Sequence, residues 1–150
     1  MNGLGHGASV SLDGVCMTVV RTRQNKIVFE AMKETLERTT LGALRVGDQV
    51  NIERSAKIGD ELGGHEVSGH VHGMAEVVRV EKPSNNHVVV LRPPSEYLKY
   101  IFSKGFIAID GISLTVVDVN RESGIFSVHL IPETLRRTTL RGKKAGSHVN

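Results

Sequence analysis

Short stretches of alternating apolar and polar residues recur along the chain, separated by turn-forming residues. The first, Ser9-Val10-Ser11-Leu12, is followed by Asp13-Gly14 and then by the β-branched run Thr18-Val19-Val20. Such alternation is typical of a strand that buries one face, and Asp-Gly favours a tight turn. The pattern therefore predicts an all-β protein, with further strands at residues 26–30, 49–53, 74–80, 87–91 and 124–130.

One segment in each half of the chain departs from this alternation. Glu34-Thr35-Leu36 in the first half is matched by Glu133-Thr134-Leu135 in the second, where Pro132 precedes the glutamate. The fixed φ of proline suits the first position of a helix. A short helical turn is expected in both places.

The chain contains an internal repeat. Residues 13–20 (DGVCMTVV) return as residues 110–117 (DGISLTVV), residues 34–41 as 133–140, and residues 46–51 as 145–150. The separation is 97 residues for the first block and 99 for the other two, so two residues are inserted between the first and second blocks. A repeat of this length indicates two copies of one structural unit, and the insertion is expected in a turn.

Two copies of short strands with Gly- and Asp-rich turns predict two tandem closed Greek-key β-barrels. A polar, Gly-rich stretch at residues 55–64 predicts a linker, which gives a first domain at residues 1–64 and a second at residues 65–150. Only 12 residues precede Asp13, whereas the second copy has two strand-like stretches before Asp110. The N-terminal barrel is therefore expected to lack its opening strands, and both chain ends to be trimmed relative to a full repeat.

Composition and charge disfavour several classes of function. No stretch approaches the run of about 18 apolar residues that a membrane-spanning helix needs, and the N-terminus has no basic and apolar leader. A cytoplasmic protein with no membrane partner is expected. The net charge of +3 is dispersed, and the six aromatic residues are too scattered to stack on bases, which disfavours a nucleic-acid partner.

The single cysteine, Cys16, rules out an intrachain disulfide and a Cys-x-x-Cys metal knuckle. On its own it is compatible with a small buried residue of a strand or with a functional thiol. His65, His70 and His72 do not have the spacing of a common zinc site. No metal is expected.

Five motifs resemble those of the riboflavin synthase family. They cover nearly the whole chain and comprise Asp-Gly-x-Cys-x-Thr-Val at residues 13–19, Met32-Lys33-Glu34-Thr35-Leu36, GGHEVSGHV at 63–71, KGFIAIDGISLTV at 104–116 and HLIPET at 129–134. The sequence departs from the family at its ends, without the family's opening Met-Phe-Thr-Gly-Ile-Val strand or its C-terminal helix.

The resemblance implies a transferase that needs no cofactor. It would convert two molecules of 6,7-dimethyl-8-ribityllumazine into riboflavin and 5-amino-6-ribitylamino-pyrimidinedione by moving a four-carbon unit. In the family each barrel binds one lumazine, and the first barrel of one chain faces the second barrel of its neighbour. A homotrimer is therefore the expected assembly, and lumazine synthase is a further candidate partner.

The resemblance also implies two sets of site residues. The catalytic candidates are Ser9, Cys16, His70, Asp110 and Ser113; among them His70 is the candidate proton shuttle, because imidazole titrates near neutrality. In the first barrel the ring and ribityl chain would contact Thr18, Glu30, Ala31, Met32, Lys33, Glu34 and Thr35. In the second they would contact Gly69, Val71, Lys104, Leu114, Thr115, His129, Leu130, Ile131, Pro132, Glu133 and Thr134.

Some of these residues also have simpler structural interpretations. Lys104 can be a solvated charge before a strand, and Asp13 and Asp110 can be turn formers only, since Asp-Gly is favoured where φ is positive. The pairs Thr39-Thr40 and Thr138-Thr139 are interpreted as structural.

Two other functions compete with the enzyme. A non-catalytic lumazine- or flavin-binding protein, like the optical antennae of luminous bacteria, would lose the catalytic residues, whereas Cys16, His70, Asp110 and Ser113 are retained here. An oligonucleotide-binding barrel is disfavoured by the sparse aromatic residues.

Overall fold

The computed structural model of the chain describes residues 4–150, which form two antiparallel sheets and a few short helices. The first half contains β1 (Ser9–Leu12), β2 (Val15–Arg23), β3 (Lys26–Phe29) and β4 (Ile52–Arg54). The second half contains β5 (Ala75–Glu81), β6 (Val88–Arg92), β7 (Phe106–Ile109), β8 (Ile112–Asn120), β9 (Ile125–His129) and β10 (His148–Val149). The helices are α1 (Lys33–Arg38), α2 (Ser95–Leu98) and α3 (Pro132–Arg137), with 3-10 turns at Thr40–Ala43 and Thr139–Gly142. None of the helices within residues 4–150 is long and apolar enough to cross a membrane.

The internal repeat is visible in the order and pairing of the elements. β1, β2, β3 and α1 correspond to β7, β8, β9 and α3. The inserted residues lie in a turn, because residues 24–25 connect β2 to β3 and residues 121–124 connect β8 to β9. The pairing register also shifts at equivalent positions, Val20 in β2 and Val117 in β8. Such bulges increase the local twist, so both sheets bend in the same way.

The two sheets differ in size. The first has four strands in the order β3-β2-β1-β4 and forms a half-barrel, whereas the second has six in the order β10-β5-β6-β9-β8-β7. The amide of Asp110 donates to the carbonyl of Asn150 at 3.1 Å, which brings the β7 end of the second sheet to its β10 end. Among the described residues of the first repeat, nothing corresponds to β5 and β6. The predicted all-β repeat with a smaller first half is confirmed.

The hydrophobic core follows the alternation of the long strands. The second repeat has the larger core, in which Val116, Phe126, Val128 and Leu91 of neighbouring strands pack together. The first repeat has two smaller clusters, one around Val10 and Val19 and one around Val15, Met17 and Leu41. Val15, Met17 and Val19 of β2 and Leu114 and Val116 of β8 are buried. The residues between them therefore face outward.

The two repeats meet where their Asp-Gly turns touch. Gly14 and Gly111 have φ angles of +81° and +82°, in the left-handed region that favours glycine. A Cβ atom at Gly14 would lie 2.6 Å from the amide nitrogen of Gly111, and one at Gly111 would lie 2.9 Å from that of Gly14. The two backbones are therefore in direct contact, with no room for a side chain between them.

Two asparagines cross this junction in equivalent ways. Asn51 donates through Nδ2 to Thr139 Oγ1 at 2.9 Å and accepts at Oδ1 from the Thr139 amide at 2.8 Å. Asn150 makes the same pair of hydrogen bonds with Thr40, both at 2.8 Å. These bonds agree with the structural interpretation of the threonine pairs.

The aspartates of the two turns are buried in the same junction. Asp13 Oδ1 accepts from the Asn51 amide and Asp110 Oδ1 from the Asn150 amide, each at 2.7 Å. Burial raises the pKa of both carboxyls above the ordinary value, most directly by removing them from water. Lys143 Nζ lies 2.8 Å from Asp110 Oδ2 and acts against that rise, whereas the position equivalent to Lys143 in the first repeat is Leu44.

Residues 55–74, which connect β4 to β5, carry no helix or strand. This connection contains the linker predicted at residues 55–64 and extends ten residues beyond it. Its later part runs along the junction and reaches both repeats. Because it touches outward-facing residues of β2 and β8, it becomes part of the candidate site.

We expect Gly14→Ala to destabilise the fold by ~3 kcal/mol or more, because its methyl group would overlap the Gly111 backbone. Gly146→Ala is the matched control, since Gly146 has a φ of +82° with nothing within 4 Å of an added Cβ. That change should cost about 1–2 kcal/mol for the left-handed φ alone. Urea unfolding measures both, and equal losses would show that the Gly14–Gly111 contact does not constrain the junction.

Replacing Lys143 by Leu copies the first repeat and leaves Asp110 buried without its cation, so we expect a loss of about 3 kcal/mol near pH 7. Burial raises the pKa of Asp110 above its value in the unfolded chain, about 3.9, so protonating this carboxyl favours the folded state. This stabilisation is complete below about pH 3.9 and is lost as the pH rises through the pKa of the folded state. Without Lys143 the pKa rises further. The loss should therefore shrink toward about pH 3, where the carboxyl is protonated.

Thermal unfolding over this pH range provides the measurement, with the exposed neighbour Lys144→Leu as the control. A loss of stability that stays constant with pH would contradict the electrostatic role of Lys143.

Candidate functional site

The outward face of β2 carries the first group of predicted site residues. Cys16 and Thr18 alternate with the buried Val15, Met17 and Val19, so both project from the exposed side of the strand. Ser9 of β1 is paired with Thr18. The structure therefore brings Ser9, Cys16 and Thr18 to one polar face.

The outward face of β8 carries the equivalent group in the second repeat. Ser113 is half-buried and Thr115 is exposed, on the side opposite the core. Phe106 of β7 is paired with Thr115, as Ser9 is with Thr18. The two faces thus share one backbone register, but cysteine is exchanged for serine and serine for phenylalanine.

Residues 64–71, here called the bridging segment, contact both faces. At its start, His65 Nδ1 lies 2.5 Å from Ser113 Oγ, and the His65 ring packs on Phe106 with centroids 4.3 Å apart. Further along, the carbonyl of Gly69 accepts from the amide of Cys16 at 2.9 Å. A Cβ atom at Gly69 would lie 2.8 Å from Cys16 Cβ, so glycine is what permits this approach.

The bridging segment also carries His70, one of the predicted catalytic residues. His70 follows Gly69 directly and has an exposed side chain, and its amide lies 3.4 Å from Ser68 Oγ. Val71 packs against the cluster of Val15, Met17 and Leu41. Of this segment, the backbone of Gly69 is the part that contacts Cys16, and His70 is the next residue along the chain.

A groove of about 770 Å³ lies beside the bridging segment. Its walls include His65, His70, Tyr97, Tyr100 and Phe106. The groove adjoins the two faces, although Cys16, Ser113, Lys104 and Thr115 are not among its lining residues. Its size is in the range of ordinary small-molecule sites, and its aromatic walls suit a flat ring.

The starts of α1 and α3 border the two faces with equivalent residues. Met32 and Ile131 precede the helices and are 72% and 64% exposed. Glu30 precedes α1, Lys33 and Glu34 begin it, and Pro132 and Glu133 begin α3; all of them are exposed. Ala31, Thr35 and Thr134 are half-buried.

The two glutamates predicted to bind ribityl hydroxyls are already paired within their helices. Arg38 Nε lies 3.0 Å from Glu34 Oε1, and Glu133 is held by Arg136 at 2.5 Å and by Arg137 at 2.8 Å. Hydrogen bonds from these two arginines, first from Arg136, lower the pKa of Glu133. Both carboxylates are exposed and paired with arginines, so a ligand hydroxyl would share them with those side chains.

Lys104 precedes β7 with a φ of +65°, and its amide donates to the Val116 carbonyl at 2.8 Å. In the first repeat Gly7 occupies the equivalent position, with a φ of +81°, and its amide donates to the carbonyl of Val19 at 2.9 Å. A lysine held in a left-handed conformation is strained by roughly 1–2 kcal/mol. The ammonium group of Lys104 is exposed at the edge of the second face.

Three predicted residues do not project from the outward faces. Leu114 and Leu130 are 8% and 3% exposed and belong to the second core, so only their backbone groups can reach a ligand. Asp110 is 1% exposed in the junction beside Lys143, away from both faces. His129 is exposed on β9, where its Nδ1 lies 3.1 Å from Asn86 Nδ2.

Sequence reasoning did not single out His65 and Phe106, which line the groove beside the second face. His65 stands in the GGHEVSGHV motif, and Phe106 occupies the repeat position of Ser9, so both signals were present in the sequence. Within residues 4–150 no group of three or more His, Cys, Asp and Glu side chains is arranged to hold a metal ion.

Comparison with known proteins agrees with this architecture. The family model "Lumazine binding domain" matches residues 2–55 and again residues 68–150, once in each repeat. The riboflavin synthase of Escherichia coli K12 is 52% identical over 151 residues, covering all of this chain and 70% of the relative. That of Chlamydia pneumoniae is 51% identical over 144 residues, covering 96% of this chain and 69% of the relative.

Solved structures show the same fold. LumP complexed with riboflavin superimposes with a TM-score of 0.86 at 27% identity, covering 97% of this chain and 78% of LumP. LumP complexed with 6,7-dimethyl-8-(1'-D-ribityl) lumazine gives a TM-score of 0.86 at 24% identity, covering 97% and 77%.

The two matches, one in each repeat, place this chain in the class of proteins built from two lumazine-binding repeats. The chain belongs to the lumazine-binding domain family and, within that family, to the riboflavin synthases, which are transferases.

Leu130 and Ile131, the two residues that follow β9, test which side chains point into the second core and which point away from it. Leu130→Ala should lower the free energy of unfolding by about 2–5 kcal/mol, because it empties part of the second core. Ile131→Ala changes an exposed side chain and should cost no more than about 0.5 kcal/mol. Urea unfolding of the two variants provides the comparison, and a larger loss for Ile131→Ala would contradict the assigned orientation of these side chains.

Proposed function

We propose that the chain catalyses the dismutation of two 6,7-dimethyl-8-ribityllumazine molecules into riboflavin and 5-amino-6-ribitylamino-pyrimidinedione. The two products together contain all the atoms of two substrate molecules. A four-carbon unit passes from one lumazine to the other, so no external oxidant or reductant is required. Family membership and the two matched faces support this reaction.

The observation that carries the proposal is the shared register of the two faces. Ser9 and Thr18 in the first repeat occupy the backbone positions of Phe106 and Thr115 in the second, and Cys16 occupies that of Ser113. The same backbone arrangement can therefore hold one flat ligand molecule in each repeat. The exchanged side chains give the two ligands different surroundings, which suits one donor and one acceptor of the four-carbon unit.

The reaction requires orientation and proton transfer. Two rings must be held face to face, and a proton must leave the acidified methyl group of one lumazine. His70 is the candidate to carry protons, because it is exposed, it directly follows the Gly69 backbone that contacts Cys16, and an imidazole can serve as a general acid or base. Cys16 and Ser113 would assist addition beside the ring, and Lys104 would attract an electron-rich part of the ligand.

The two faces belong to different repeats, and we infer that each is completed by the face of another chain. The exposed Met32 and Ile131 at equivalent positions support this arrangement, because large apolar side chains beside a polar face suit coverage by a ring or a partner. The homotrimer implied by the family is consistent with it. Lumazine synthase is a further candidate partner, because its association would deliver the substrate directly.

Mixing the purified chain with 6,7-dimethyl-8-ribityllumazine and following riboflavin absorbance tests the reaction. We expect riboflavin without any added cofactor, and we expect Cys16→Ser to lower kcat by about 10-fold or more. Since serine is nearly the same size and the side chain is exposed, lumazine affinity should change by less than about threefold.

Thr22→Ser, a small exposed change at the far end of β2, is the control and should keep the wild-type rate. Lumazine binding without product would instead favour the non-catalytic binding protein. An unchanged rate in Cys16→Ser would exclude a catalytic role for the thiol.

A further inference from the structure

The second face contains a side-chain pair that the first face does not reproduce. His65 Nδ1 lies 2.5 Å from Ser113 Oγ, and the His65 amide lies 3.4 Å from the same oxygen. Both residues are half-buried. The serine hydroxyl is thus contacted twice by one residue of the bridging segment.

The His65 ring is fixed in place by packing as well as by this contact. Its centroid lies 4.3 Å from that of Phe106, with 31° between the ring planes. Phe106 is paired across the strands with Thr115, two residues beyond Ser113 on the same face. The imidazole is therefore held between an aromatic ring and a hydroxyl, both of which belong to the second face.

Gly64 allows the bridging segment to come this close. Its φ is +117°, and an added Cβ would lie 2.8 Å from Ser113 Oγ and 2.9 Å from Ser113 Cβ. Any other residue at this position would push the segment, and His65 with it, away from β8. The glycine backbone at Gly64 and the packing of the His65 ring on Phe106 together bring His65 Nδ1 to Ser113 Oγ.

The first face is built differently at each of these positions. Cys16 replaces the serine, and its thiol is exposed and free. Ser9 replaces Phe106, so the first face offers no ring against which an imidazole could pack. The bridging segment meets this face through the backbone of Gly69.

A serine hydroxyl normally rotates and can either donate or accept a hydrogen bond. When Nδ1 of a neutral imidazole accepts the hydroxyl proton, the serine oxygen can only accept from a third group. We propose that His65 is a positioning residue that commits the Ser113 hydroxyl to Nδ1, so that the serine oxygen is a fixed hydrogen-bond acceptor toward the ligand on the second face. This inference rests on the proposed function, since the ligand is the lumazine of that reaction.

A double-mutant cycle tests the proposal. His65→Phe retains a ring to pack on Phe106 but removes Nδ1, and Ser113→Ala removes the hydroxyl. Each single change should lower kcat/KM for 6,7-dimethyl-8-ribityllumazine by about 10-fold, which corresponds to one lost hydrogen bond. If His65 acts through Ser113, the double variant should be no slower than Ser113→Ala within about twofold.

Two further variants separate positioning from folding. His65→Asn can offer a side-chain oxygen near the place of Nδ1 and should recover part of the lost rate. His148→Phe, at an exposed position of β10, is the matched control and should leave the rate unchanged. A His65→Phe variant with wild-type kinetics, or losses that multiply in the double variant, would overturn the proposal.

A readout without turnover distinguishes this proposal from failure of the proposed function. The ¹⁵N resonance of His65 Nδ1 should differ between the wild-type chain and Ser113→Ala, because the bond from the hydroxyl is lost. If the wild-type chain makes no riboflavin, the proposed reaction fails, and a shifted resonance still supports the pairing of His65 with Ser113. An unchanged resonance would overturn the pairing whatever the activity.

Discussion

The contact between the two Asp-Gly turns is the constraint on which the rest of the structure depends. Gly14 and Gly111 bring the backbones of the two repeats together without side chains, and hydrogen bonds from Asn51 and Asn150 lock them. Cys16 and Ser113 each stand two residues beyond one of these glycines. The junction therefore fixes where the two candidate half-sites begin, and the bridging segment can reach both because they start from the same point.

Much of the fold follows from local sequence pattern. The repeat, the long strands and the helix that begins at Pro132 were predictable, because alternation, Asp-Gly turns and a proline at the first helical position act over a few residues. The junction was not, because Asn150 meets a threonine 110 residues away in the chain. No local signal distinguishes an asparagine that bonds across repeats from one that ends a strand.

The candidate site was predictable to a similar degree. The outward positions of Cys16 and Thr18 follow from alternation, and the same rule applied to β8 and β9 would have directed Leu114 and Leu130 to the core. Asp110 was ambiguous in sequence, because an aspartate before glycine can serve a turn or a reaction; the structure gives it a buried place beside Lys143. The pairing of His65 with Ser113 depends on how an irregular segment crosses the sheet, which periodicity does not describe.

The near-two-fold contact inside a single chain has a further consequence. In a homodimer with an identical isologous interface, every substitution appears on both sides of the axis at once. Covalent fusion removes that restriction, since each half can change alone while the shared contact is kept. Such changes are seen where equivalent positions of the two repeats carry different residues: Lys143 and Leu44, Cys16 and Ser113, and Ser9 and Phe106. Fusion thereby allows two halves with one backbone shape to carry different side chains at equivalent positions.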